Sequence, residues 1–311
     1  MLSTRLAGIG LVTEHTASWV PPVFERGLLP VPTKPIVPVF RFLPDPIVRR
    51  LMNAAPSRVN FYCAGFNRIA AELRVPPVPS LAALLLGDLT LVTEAPEVIG
   101  IPAADIAAWS PAGRRGYRPG TRLRCTGPLF ARLDVPLPAR VDRFLDQAGP
   151  AVYLAITSSP PELVRAVVRG LASLDVRVLV AGTVHDLGEL ASDRVLVAGV
   201  LPSHLIMPRV DLAITAGGQG SVQTAMSGGT PVLGLPLQSE QDLNIVLLER
   251  LGAARRLALR HAGTAKLAEA ARAMLTDERH RRAADRIRAR CAEIDGPGNA
   301  AEAIIDFAGQ R

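Results

Sequence analysis

From Ala148 onwards, short apolar runs alternate along the chain with segments of helical period. The runs of strand length are Ala151–Ile156, Val176–Ala181, Arg194–Val197, Asp211–Thr215 and Pro231–Leu235. The helical segments are Pro160–Ala172, Gly220–Met226, Ser239–Leu251, Leu267–Leu275, Glu278–Cys291 and Asn299–Phe307. Continuous apolar strands that alternate with helices are typical of parallel βα units with helices on both faces of the sheet. We therefore predict an α/β fold with a complete parallel sheet in the C-terminal half.

Residues 1–126 have a less regular pattern. It predicts strands at Leu6–Thr13, Asp88–Thr93 and Arg122–Cys125, and helices at Ile47–Ala55 and Val59–Leu73. The many prolines between Pro21 and Pro46 predict mostly loop there, because proline lacks the N–H that helix interiors and ladders need. The predicted division is a partial N-terminal domain at 1–126, a linker at 127–147 and a C-terminal domain at 148–311.

Composition narrows the class of protein. Apolar residues make up 49% of the chain, which argues against disorder. The net charge of +7 comes largely from arginines at 114–124 and 279–290, which indicate either an anionic ligand or membrane surface, or solvated faces. No aromatic residues alternate with these cations, which argues against nucleic-acid binding. The start of the chain lacks the pattern of a signal peptide, and no apolar run is long enough to span a bilayer.

The three cysteines have neither disulfide nor metal-ligand spacing. A reducing, cytoplasmic location follows as an expectation. The sequence predicts no metal site.

A glycine-rich turn follows the predicted strand Asp211–Thr215. Gly217, Gly218 and Gly220 precede Ser221 and a predicted helix. Glycine lets a ligand approach the backbone, and a helix start offers unpaired N–H groups and a positive dipole end. The turn indicates a phosphate site at the carboxyl end of a strand, although glycines there can also simply relieve crowding between strand and helix.

A second polar loop follows the next predicted strand. After Leu235-Pro236 come Gln238, Ser239, Glu240, Gln241 and Asn244. The carboxyl ends of parallel strands meet at one edge of a sheet, so we expect these groups beside the glycine turn. Glu240 and Gln241 supply the acceptors and donors that sugar hydroxyls need, and they also suit the first turn of a helix.

The order and spacing of these parts resemble the donor-binding signature of GT-B glycosyltransferases, in particular the bacterial enzymes of the UDP-glycosyltransferase superfamily. The matching parts are Thr215-Ala216-Gly217-Gly218-Gln219-Gly220-Ser221, Gly229-Thr230-Pro231, and Pro236 to Gln241 with Asn244. The resemblance implies a GT-B-like fold of two Rossmann-like halves.

The resemblance also implies roles for individual residues. The donor diphosphate would be held by Thr157, Ser158, Gly217, Gly218, Gly220 and Ser221. The ribose and base would lie near Val200, Leu201, Pro202, Gln223 and Thr224. The sugar hydroxyls would bind Glu240 and Gln241.

Two departures from the family pattern stand out. The family has a His where this chain has Ala216, and its opening Gly-His segment, which supplies the catalytic base, has no counterpart before Leu6. We therefore expect an incomplete N-terminal half, whose exposed apolar surface favours association with another copy or a partner chain. His15 is the one early histidine to consider as a base; the other interpretation is a polar residue in a strand-end loop.

The sequence thus predicts transfer of a hexose from a nucleoside diphosphate sugar, with UDP as the nucleotide, to a hydroxyl of a small lipophilic acceptor. No cofactor is expected beyond the donor, because helix N-termini and hydroxyls can balance the leaving diphosphate. One alternative is a non-catalytic nucleotide-sugar-binding or partner protein; another is a related GT-B activity such as an epimerase. The late glycines argue against a dinucleotide-dependent dehydrogenase.

Overall fold

A computed structural model describes residues 1–15, 18–130, 132–156, 159–183 and 185–310, with only the backbone of His15. The chain forms two compact units. The first unit comprises Met1–Val31, Val37–Leu129 and Ile294–Arg311, and the second comprises Pro32–Ile36 and Phe130–Glu293.

The first unit contains a three-stranded parallel sheet in the order β1-β2-β3. The strands are β1 (Val12–His15), β2 (Leu89–Val92) and β3 (Arg122–Cys125). The helices are α1 (Leu2–Leu6), α2 (Pro21–Glu25), α3 (Asp45–Arg58), α4 (Ala64–Glu72), α5 (Leu81–Leu85), α6 (Pro96–Ile99) and α7 (Ala103–Ala107), with 3-10 turns at Pro38–Phe42 and Phe61–Cys63.

One prediction for this unit was wrong in detail. The segment predicted as the strand Leu6–Thr13 ends helix α1 at Leu6, and β1 begins only at Val12. Gly8 has a φ of +66°, which stops the helix, and pairing with β2 starts next to Leu11, whose N–H donates to the Asp88 carboxylate at 2.9 Å. The proline-rich stretch from Pro21 to Pro46 is mostly loop, as predicted, and it also contains the short α2. Pro21 lies in the first turn of that helix, where a missing N–H costs little.

The second unit is built on a six-stranded parallel sheet. Its strands are β4 (Ala151–Ala155), β5 (Arg177–Ala181), β6 (Val195–Ala198), β7 (Leu212–Thr215), β8 (Val232–Gly234) and β9 (Ala254–Arg256). Its helices are α8 (Ala139–Leu145), α9 (Pro161–Leu171), α10 (Ser203–Ile206), α11 (Gln219–Gly228), α12 (Ser239–Arg250), α13 (Ala265–Thr276) and α14 (Glu278–Ala292), and 3-10 turns lie at Gly188–Leu190, Met207–Arg209 and Leu259–His261.

The strand order of this sheet is β6-β5-β4-β7-β8-β9. It is the doubly wound order, in which the connections reverse direction between β4 and β7. Apolar residues of the central strands, such as Val152 and Leu154, are fully buried with Val167 of α9 and Leu267 of α13. The predicted complete parallel sheet of the C-terminal half is therefore confirmed.

The last helix, α15 (Gly296–Gly309), groups with the first unit. Its Ala303 and Phe307 are buried with Leu89 and Leu91 of β2, and the Asn299 amide donates to the Thr126 carbonyl at 3.0 Å. The compact units thus differ from the predicted ranges at the C-terminus, and α8 begins within the predicted linker at Ala139. The ranges 1–126, 127–147 and 148–311 stay a prediction as domains. No helix in the described ranges is long and apolar enough to cross a bilayer.

Candidate functional site

The loops after β7 and β8 leave the sheet side by side. Thr215, the last residue of β7, is in register with Ala155 at the end of β4 and with Gly234 at the end of β8. The three strands therefore end level. Because β4 and β7 flank the point where the connections reverse, this edge is where an open α/β sheet binds ligands.

The glycines of the turn have different environments. Gly217 has a φ of +90°, and a Cβ there would lie 2.7 Å from Ile245 Cγ1 and 2.9 Å from the Gln241 carbonyl oxygen. This residue is glycine because the turn packs tightly on α12. A Cβ at Gly218 or at Gly220 would meet no atom of a described residue within 4 Å. Those two positions border open space, as a backbone contacted by a ligand must.

The start of α11 has a backbone N–H that no described residue accepts. Gly218 is the N-cap residue, and the Gly217 N–H donates to the Thr215 hydroxyl at 2.7 Å. Among the described residues, none accepts a hydrogen bond from the N–H of Gly220. Unpaired N–H groups at the positive end of a helix suit a phosphate. Ser221, half-buried one residue later, carries the only hydroxyl in this first turn.

The carboxylate of Glu240 connects the two loops. It accepts hydrogen bonds from the backbone of Gln219, the first residue of α11, and from the Asn244 amide at 2.5 Å. The same amide donates to the Gly217 carbonyl at 3.0 Å. The acid of α12 is therefore held at the N-terminus of α11, next to the open positions of the glycine turn.

Burial raises the pKa of the Glu240 carboxyl above its ordinary value, while the hydrogen bonds from Asn244 and Gln219 lower it. A carboxylate that loses water in this way gains from accepting additional donors. The neighbouring Gln241 uses its carbonyl oxygen to accept from the Leu237 N–H at 2.8 Å. Its predicted role toward a sugar stays a prediction, as does that of Glu240.

The residues predicted near the ribose and base are partly exposed and partly buried. Val200, just after β6, is 63% exposed, and Leu201 and Pro202 are buried. Gln223 and Thr224 are buried within α11, where the Thr224 hydroxyl donates to the Gly220 carbonyl at 2.7 Å. The exposed apolar group at this edge is thus Val200. All five roles stay predictions.

Three predicted residues cannot be placed. Thr157 and Ser158 lie outside the described residues, and so does the side chain of His15. The backbone of His15 ends β1, opposite Val92 of β2. Next to the first two, the Ser159 hydroxyl donates to the Ile156 carbonyl at 2.6 Å.

Sequence reasoning missed two polar residues of the second unit. Asp242 of α12 is 2% exposed, pairs with Arg256 at 2.9 Å and accepts from the Thr33 N–H. Burial raises the pKa of Asp242, while Arg256 lowers it. His185, after β5, lies 2.9 Å from the Ser159 carbonyl through Nε2. Asp242 could have been found from the sequence, because an acid stands there among the apolar residues of a predicted helix. No sequence feature pointed to His185, because its partner lies in a different loop.

Comparisons with known proteins agree with this architecture. Residues 165–307 match the model of the EryCIII-like family, described as the C-terminal domain of erythromycin biosynthesis protein CIII-like proteins. A PGL/p-HBAD biosynthesis glycosyltransferase of Mycobacterium tuberculosis is 29% identical over 311 residues, which cover 99% of this chain and 65% of that protein. The chain therefore spans slightly less than two thirds of the length of this relative.

Solved structures are similar in fold. Spinosyn forosaminyltransferase SpnP superimposes with a TM-score of 0.62 at 16% identity, covering 99% of this chain and 72% of that one. The glycosyltransferase SsfS6 of Streptomyces sp. SF2575, in complex with thymidine diphosphate, has a TM-score of 0.57 at 19% identity and covers 98% and 65%. These matches confirm the predicted fold with its parallel sheets.

Proposed function

We propose that this chain is a family 1-like GT-B glycosyltransferase, as its similarities to such proteins support, and that it transfers a hexose from a nucleoside diphosphate sugar to a hydroxyl of a small lipophilic acceptor. The observation that carries the proposal is the bond from the Gln219 N–H to the Glu240 carboxylate. It supports a donor site in which the helix start that suits a diphosphate adjoins an acid that suits sugar hydroxyls.

In the proposed reaction, the acceptor oxygen attacks the anomeric carbon, the bond from that carbon to the diphosphate breaks, and a base takes the acceptor proton. Negative charge grows on the departing diphosphate. The N–H of Gly220, the Ser221 hydroxyl and the positive end of α11 would stabilise that charge, with no metal required. Glu240 would accept from the sugar hydroxyls, and Gln241 would donate its amide. The base is not assigned.

The proposed nucleotide is UDP, because the donor-binding signature resembles that of the UDP-glycosyltransferase superfamily. A neighbour of similar fold was solved with thymidine diphosphate, which makes TDP the second nucleotide to test. Val200 would contact the base, because an exposed apolar side chain at the end of β6 can pack on its face.

A second function, binding of a nucleotide sugar without catalysis, is favoured by one observation. Ala216 occupies the position where the family turn has a histidine, and it cannot donate a hydrogen bond to a phosphate.

Calorimetric titration of the whole chain with UDP and TDP tests the donor site. Gly218→Ala should weaken nucleotide binding, because its Cβ would stand beside the expected phosphate, while stability should fall by no more than about 1 kcal/mol, since Ala is a poorer N-cap than Gly. Gly65→Ala on α4 is the matched control, since a Cβ there also meets no atom. No binding of either nucleotide at millimolar concentration would reject the site.

Release of nucleoside diphosphate with phenolic and terpenoid acceptors tests the reaction. Turnover supports the transferase. Binding without turnover across the panel supports the second function.

A further inference from the structure

Aromatic and aliphatic side chains stand exposed in the first unit between Val37 and Ile69, here named the interfacial segment. Phe42 is 83% exposed and Phe61 is 68% exposed. Smaller but substantial exposure is found for Val39, Ile47, Leu51, Tyr62, Phe66 and Ile69. Large apolar groups exposed in such number on one short stretch mark an interaction surface.

The exposure follows from how the two helices of this segment are anchored. On α3, Val48 and Met52 are buried, while Ile47 and Leu51, one turn apart, face outward. On α4, Asn67 holds the inner side, because its amide donates to the Val78 carbonyl at 3.1 Å and its carbonyl accepts from the Val78 N–H at 2.7 Å. Its neighbours Phe66 and Ile69 are therefore directed away from the protein.

Cations are interleaved with these apolar groups. Arg41 precedes Phe42, Arg49 and Arg50 lie between Ile47 and Leu51, and Arg68 lies between Phe66 and Ile69. Asp45 is the only acid between 37 and 69, against five arginines once Arg58 is included. None of the five forms an ion pair with a described residue. By contrast, the α14 arginines Arg279, Arg282, Arg288 and Arg290 are each paired with an acid.

The combination selects one kind of occupant. Arginine and aromatic groups are also common at protein–protein interfaces. Here, however, five arginines stand against a single acid, and none of the five forms an ion pair with a described residue, so the occupant has to carry negative charge. Arginine stems can lie along apolar surface while their heads reach anionic groups, and aromatic rings suit the boundary between head groups and acyl chains. A surface of anionic lipid offers both environments at once.

We propose that the interfacial segment binds the surface of an anionic lipid bilayer, with Phe42, Phe61 and Phe66 inserted at the head-group boundary and the arginines on the lipid phosphates and carboxylates. The chain lies on the bilayer without crossing it. The inference is independent of the transferase reaction, since it concerns residues outside the donor loops.

Sedimentation of the full chain with vesicles tests it. Vesicles with about 30% phosphatidylserine in phosphatidylcholine should bind the chain at least about tenfold more tightly than phosphatidylcholine alone, because each arginine near the surface contributes roughly a fivefold gain. Raising the salt should reverse this preference.

Two pairs of variants separate specific from general effects. Phe42→Ser with Phe61→Ser should weaken vesicle binding at least about tenfold, whereas Ile305→Ser, at a 70% exposed site on α15, should leave it unchanged. Arg49→Glu with Arg50→Glu should abolish the preference for phosphatidylserine, whereas Arg282→Glu with Arg286→Glu on α14 should preserve it. Circular dichroism establishes that each variant is folded.

Three results overturn the proposal: no binding to phosphatidylserine vesicles, equal losses in the control variants, or self-association of the wild type that Phe42→Ser with Phe61→Ser removes while vesicle binding stays absent. The last result, read from sedimentation velocity, would assign the segment to a second copy of the chain.

Discussion

The two units differ in which of their side chains are buried or held by hydrogen bonds and which are exposed. In the second unit, apolar residues of the sheet are buried under helices. The polar residues at its carboxyl edge are held by bonds between α12 and the glycine turn, such as the one from the Asn244 amide to the Gly217 carbonyl. In the first unit, α3 and α4 expose aromatic and aliphatic groups next to arginines that form no ion pair with any described residue. An edge organised before a ligand arrives suits a small polar molecule, whereas exposed apolar groups suit a broad surface.

The largest effect is expected at the tightest point of the organised edge. Gly217→Ala should lower the free energy of unfolding by about 2–4 kcal/mol, because the residue has a φ of +90° and its Cβ would collide with Ile245 and the Gln241 carbonyl. Urea denaturation measures the loss. Gly220→Ala is the control, because its Cβ would meet no atom of a described residue. A similar loss there would show that the crowding argument is wrong.

Asp242→Ala should cost about 2–3 kcal/mol, because it leaves Arg256 without its carboxylate and the Thr33 N–H without an acceptor. The comparison is with the first unit, where Asp306 pairs with Arg124 at an exposed site. Asp306→Ala should cost less than about 1 kcal/mol, since water screens that pair. If urea denaturation gave equal losses in the free energy of unfolding for the two variants, the buried pair of the second unit would be worth no more than the exposed pair of the first.

Ala216→His should tighten UDP binding about tenfold or more, because a directed donor to a charged phosphate is worth roughly 1.5–3 kcal/mol. Calorimetry measures the change. Ala289→His, at an exposed site on α14, should leave the affinity unchanged. An unaltered affinity in Ala216→His would mean that the phosphate does not lie at this turn.

The smallest effect on stability is expected for Glu240→Gln. Burial raises the pKa of Glu240 above its unfolded value, so the native state holds the proton more tightly and the ionised form costs stability once the pH exceeds that raised pKa. The variant should therefore be slightly more stable at neutral pH. It should also lack the gain in stability that the wild type shows as the pH falls through the raised pKa.

Thermal unfolding between pH 4 and pH 8 measures this difference, with Glu302→Gln on α15 as an exposed control. The amide keeps an oxygen for Gln219 and Asn244 but loses the charge, so donor-sugar affinity should fall while UDP affinity is kept. A loss of stability at neutral pH would contradict the assigned pKa direction.

Much of the second unit was predictable because its signals are local in the chain. The strand that ends at Thr215, the helix start after Gly218 and the polar first turn of α12 around Glu240 can each be read from a few neighbouring residues. The first unit was less predictable. Its first strand begins at Val12 and not at Leu6, and the short helix at Pro21 lies within a stretch whose prolines predict mostly loop.

By itself the sequence determined how strands and helices alternate in the second unit and which residue types stand in the loops and helix starts at one edge of the sheet. It could do so because backbone preferences and hydrophobic periods act over a few neighbouring residues. Only the tertiary structure decided that Gly217 serves packing while Gly218 borders open space, that Glu240 bonds to the start of α11, that α15 joins the first unit and that Phe42 stands exposed. Each of these depends on contacts between residues distant in the chain, or on their absence, and no local pattern encodes such contacts.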